Sequence, residues 1–136
     1  MKNTLLSTAI VIVAVAISAC SRPGESGLRD SFAQQLAANR FIKDFQRTGD
    51  DLTFSGPGSE GGTAAWRVHI DSAVVEPSDD AARPYKGTVK SSWYVNEQLV
   101  QAEGPDSNLP IELIANGLSQ DCWAFWVAAT KRWNWE

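Results

Sequence analysis

Much that would name a chemistry is scarce or missing in this chain of 136 residues. It has one histidine, His69, and two cysteines, Cys20 and Cys122. No Cys/His spacing can therefore build a zinc site, and no metal or cofactor is expected. The Gly-x-Ser-x-Gly elbow of serine hydrolases is absent. The glycine-rich stretch Gly56–Gly62 lacks the Gly-Lys-Ser/Thr that cradles phosphate, so it reads as a loop rather than a nucleotide site. The 12 Lys+Arg are outnumbered by 16 Asp+Glu and form no cluster, which argues against nucleic-acid and polybasic lipid binding. After Ile17 no apolar run approaches the roughly 20 residues a spanning helix needs.

What is present begins at the start of the chain. Lys2 precedes an uncharged, mostly apolar run, Leu5–Ile17, of 13 residues. That length suits the core of a cleaved secretory signal, about 7–15 residues, better than a permanent anchor. The run ends in Ile17-Ser18-Ala19-Cys20. An aliphatic residue, two small residues and cysteine resemble the lipobox of bacterial lipoproteins. The resemblance implies cleavage after residue 19, a thioether from Cys20 to diacylglycerol and acylation of the new amine. Several acyl chains on one residue give a lasting anchor, because each buried methylene contributes about 0.8 kcal/mol and one chain alone binds marginally. Ser21 rather than Asp after the cysteine implies, by the same resemblance, the outer membrane facing the periplasm, with surface exposure an alternative. An ordinary cleaved signal and a short membrane anchor are the competing readings.

Cleavage before Cys20 would leave 117 residues and a net charge of −5, since it removes Lys2 and no acidic residue. That length suits a single domain, 28–136. With Cys20 lipidated, Cys122 has no intramolecular disulfide partner in an oxidising compartment and reads as a buried unpaired thiol, with an intermolecular disulfide or a nucleophile as alternatives. Residues 20–27 read as the lipidated cysteine and a flexible tether. Seven tether residues span about 15 Å as a coil and about 25 Å stretched, which holds the domain near the bilayer.

Periodicity then predicts the elements. Leu28–Gln46 reads as a helix with Leu28, Phe32, Leu36 and Ile42 on one face, widened by Phe41 and Phe45 and stopped at Thr48-Gly49. Leu52–Phe54 reads as a short strand. In Ala65–Glu76, Trp66, Val68 and Ile70 alternate with Arg67, His69 and Asp71, which predicts a strand; beyond Ser72 both faces turn apolar, which predicts a bulge or a deeper stretch. Tyr85–Val95 is a second strand, and Asn96-Glu97 a turn into Gln98–Gln101. Residues 103–109 read as a loop. The final segment reads as a short helix at 110–116 and a strand from Cys122 to Ala129 or beyond, with one long helix as the alternative. This order predicts an α+β fold, an N-terminal helix packed on a curved antiparallel sheet. In element order alone it resembles cystatin-like and nuclear-transport-factor-like rolls.

The candidate site residues are aromatic. Of six tryptophans, Trp66 and Trp93 fall on the apolar faces of their strands and read as core. Trp123 and Trp126 fall on opposite faces of any strand, whereas Trp133 and Trp135 share a face. With Tyr94 these four are the candidate partner-binding residues; for Trp133 and Trp135 a sugar-stacking or protein-binding patch, packing in the core and contact with the membrane interface are the competing readings. A catalytic alternative joins Cys122 as nucleophile to His69 and Asp71, which share a strand face. The reading favoured by the sequence is a non-enzymatic, lipid-anchored envelope protein that binds another envelope protein or polymer. An inhibitor or immunity lipoprotein, its acidic surface suited to a basic target, is the alternative within binding. A small thiol hydrolase is the alternative outside it.

Overall fold

The computed structural model describes residues 23–58, 60–101 and 109–136. The secretory segment, Cys20 and all of the expected 103–109 loop except Leu109 lie outside the described residues. In chain order the elements are α1 (Glu25–Ala37), β1 (Lys43–Thr48), β2 (Asp51–Pro57), β3 (Thr63–Pro77), β4 (Tyr85–Val95), β5 (Gln98–Leu99), α2 (Ile111–Ile114), β6 (Asp121–Val127) and β7 (Arg132–Trp135). The strands form one antiparallel sheet ordered β1-β2-β3-β4-β6-β7, with β5 added to β4. The sheet is strongly curled, and α1 packs on it. This is an α+β architecture.

Alternation sets the two faces. Inward go Leu52 and Phe54 of β2, Trp66, Val68 and Ile70 of β3, Val89 and Trp93 of β4, and Cys122 and Ala124 of β6. Leu28, Phe32 and Leu36 of α1 are fully buried with them in one core. The bulge expected near Ser72 occurs as a register shift between Ile70 and Ser72, after which Ala73 resumes the inward positions. Gly87 lets the helix close on the sheet. A Cβ there would lie 2.6 Å from Leu28 Cδ1 and 3.0 Å from the Trp133 ring. The Asn96-Glu97 turn has φ of 49° and 65°, the paired positive values that match hairpin twist.

Three expectations are corrected. The helix runs Glu25–Ala37, so it takes in the last three residues read as tether and stops nine residues before Gln46. The stop is made by Asn39. Its Oδ1 accepts the Phe41 N–H at 2.9 Å, and its amide donates to the Glu112 carbonyl at 2.8 Å. The local half is the turn chemistry that lets Asn compete with helix, and the distant half depends on α2. Residues 43–48 are therefore the edge strand β1, and Gly49, with φ of 61°, is the first turn residue of the β1–β2 hairpin rather than a helix cap. The last strand stops at Val127 and reverses through residues 128–131 into β7.

Candidate functional site: a tryptophan-lined groove

The β6–β7 hairpin pairs Trp126 with Trp133 on the inner face, next to Tyr85 across the sheet. The two indoles meet edge to face at 5.4 Å and 67°. Both are half-buried because α1 begins beside them and leaves this end of the inner face incompletely covered. Between the first turns of α1 and the hairpin lies an open groove of about 580 Å³, within the range of small-ligand sites. Gly27 lines it, and a Cβ built there meets no atom within 4 Å.

The polar groups around the groove differ in availability. Asp30 accepts a hydrogen bond from Arg47 Nη1 at 2.7 Å. Ser31 Oγ accepts from Trp135 Nε1 at 3.0 Å, and Gln35 Nε2 donates to the Asn116 carbonyl at 2.9 Å. Gln34, Lys131 and Arg132 are exposed, and among the described residues no acidic group pairs with either cation. The Trp133 indole N–H is buried, closed to the groove, and without a partner among the described residues. Leaving such a donor unmatched costs about 1–3 kcal/mol. Lys131 adopts φ of 55° at the hairpin turn, an uncommon conformation for a side chain of that size.

The sequence candidates are divided among three places. Trp126 and Trp133 meet in the groove. Trp135 turns away from it, packing edge to face on Phe32 at 5.7 Å. Trp123 and Tyr94 are on the outer face. Trp123 lies opposite Thr88, near Val74, with the Lys86 ammonium 5.5 Å from its ring. Tyr94 is six residues farther along β4, about 20 Å, with the Arg67 guanidinium 4.0 Å over its ring. Sequence reasoning missed Gln34, Lys131, Arg132 and Gly27. The polar interval Thr130-Lys131-Arg132 between aromatic segments was the available signal for the hairpin that places two of them.

Cys122 and His69 are not brought together. Cys122 is 2% exposed on the inner face, and burial pushes its thiol up to about 11. His69 and Asp71 are on the outer face. There His69 Nδ1 meets Asp51 Oδ1 at 2.9 Å, and Arg67 bridges Asp51 and Glu97 at 3.5 and 3.2 Å. The His69 hydrogen bond, the largest influence, together with neighbouring positive charge outweighs the opposing desolvation and holds the Asp51 carboxyl below its usual range. Ser92 Oγ donates to Asp71 at 2.6 Å. Among the described residues no group of three or more His, Cys, Asp or Glu side chains could hold a metal ion.

Fold and groove together define a helix-on-curled-sheet α+β protein with an aromatic recess at the open end of its concave face. No protein-family model matches the chain, and none of the curated proteins or solved structures does.

Proposed function

We propose that this is a non-enzymatic, lipid-anchored envelope protein that binds another envelope component through the Trp126–Trp133 groove. One observation carries the reading. Two half-buried indoles line an open recess that also takes in Pro23, the residue from which the chain leads back three positions to Cys20. Aromatic side chains that are partly desolvated and recessed are efficient anchors for a partner, because they contribute large contact area at little rotamer cost. An anchor at Cys20 would keep the groove close to the membrane, where an envelope partner resides. The single helix on a curled sheet also supports the likeness to cystatin-like and nuclear-transport-factor-like rolls.

The test uses the full-length chain recovered from membranes. Mass spectrometry of the wild type should find acyl mass on Cys20, and Cys20→Ser should abolish it. Immobilised wild type should retain an envelope component that the Trp126→Ala/Trp133→Ala double variant releases. Equal retention by a folded double variant would contradict the groove assignment.

A further inference from the structure

We infer that the groove takes an acidic saccharide, a sugar carrying carboxylate or phosphate. This rests on the groove being the binding site and names the chemistry of what enters it. Three features point the same way. The first is the indole pair: the C–H faces of a sugar ring carry slight positive charge and complement the negative π-face of tryptophan. The second is the exposed amide of Gln34, which lines the groove. A hydroxyl-rich ligand supplies both donors and acceptors for that amide. The third is Lys131 and Arg132, two groove-lining cations without acidic partners among the described residues, in a chain whose net charge is −4. Their charge favours an anionic ligand despite the overall sign of the protein.

The same features weigh against the other occupants. A protein partner is normally held on a flat patch with a contiguous apolar centre, whereas here the aromatic surface is two recessed rings set among polar groups. A bilayer contacts outward-projecting indoles at headgroup level. Trp126 and Trp133 are less exposed than Trp123 on the opposite face, which is 42% exposed.

The experiment follows the indole N–H resonances of the full-length chain in neutral detergent micelles. Acidic probes are trigalacturonic acid, N-acetylglucosaminyl-N-acetylmuramic acid and glucose 6-phosphate. Neutral counterparts are maltotriose, chitobiose and glucose. At least one acidic probe should shift the Trp126 and Trp133 signals and bind at least tenfold tighter than its counterpart. Added salt and the Lys131→Ala/Arg132→Ala variant should remove that preference, and Gly27→Trp should remove binding. Equal affinity for acidic and neutral probes, or no binding by any acidic probe, overturns the inference. So does a response confined to phosphatidylglycerol vesicles, which would assign the groove to lipid. If saccharides fail while Trp126→Ala/Trp133→Ala still releases an envelope component, only the ligand class is wrong. If that component is retained, the binding reading itself is wrong.

Discussion

Two pairs of tryptophans occupy the inner face of one curled sheet. Trp66 and Trp93 meet edge to face at 6.2 Å, and Trp126 and Trp133 do so at 5.4 Å. The first pair is at most 2% exposed, and both of its N–H groups are matched, to the Pro57 carbonyl at 3.0 Å and the Ser91 hydroxyl at 2.9 Å. The second pair is half-buried, and the buried Trp133 N–H has no partner among the described residues. Similar ring geometry therefore serves two ends. Where the sheet, Phe54 and the helix enclose the indoles, they are core. Where the described residues leave them partly open, the same arrangement lines a recess with two cations to spare.

The largest expected effect falls on the closed pair. Trp93→Ala should lower stability by about 3–5 kcal/mol, the usual cost of deleting a fully buried large aromatic, as read by denaturant unfolding. A loss below about 1 kcal/mol would deny that this pair is core. Gly87→Ala should cost about 1–3 kcal/mol, because its methyl overlaps the Leu28 side chain and crowds the Trp133 ring, which must shift. Wild-type stability would mean that the helix seats less closely than 2.6 Å implies. Trp126→Ala should cost only about 1–2 kcal/mol, since the side chain is incompletely enclosed, yet it should weaken partner retention at least tenfold. That split between stability and binding separates the pairs, and a Trp93-like loss of stability would erase the distinction.

The smallest effect lies on the outer face. Asp51 has a folded-state pKa below its unfolded value, so the stability it contributes is present above about pH 4 and is lost as pH falls through the folded value. Asp51→Asn should flatten the acid limb of the stability profile below about pH 4 while leaving binding near neutral pH unchanged. An acid limb identical to wild type would remove Asp51 from that role.

The closed pair was legible in the sequence and the open pair was not. Trp66 stands on period-two alternation that runs through Asp71 before the bulge, Trp93 on the alternation of its own strand, and β4 has the bounds that alternation predicts, Tyr85–Val95. The helix end was obscured because Ala37, Ala38, Phe41 and Phe45 continue a helical spacing. Asn39 ends the helix partly through the carbonyl of Glu112, 73 residues away, which local periodicity cannot report. The β6–β7 turn was obscured because its positive φ falls on Lys131 instead of Gly or Asn. Without that turn, Trp126 and Trp133 are seven residues apart and unrelated; with it they are cross-strand neighbours. Gly27 was read as linker composition, whereas inside α1 its missing side chain leaves the groove unobstructed.

Gly27 also provides the most direct test of the open pair. Its φ is not in the left-handed region and its surroundings are empty, so a large residue can enter the groove without disturbing the core. Full-length wild type and Gly27→Trp should be compared for thermal unfolding and for retention of the envelope component in parallel. An unchanged or higher Tm with retention lost is the expected result, since removing a helix glycine is itself mildly stabilising. Retention at the wild-type level by a folded Gly27→Trp would show that the groove is not where this protein binds.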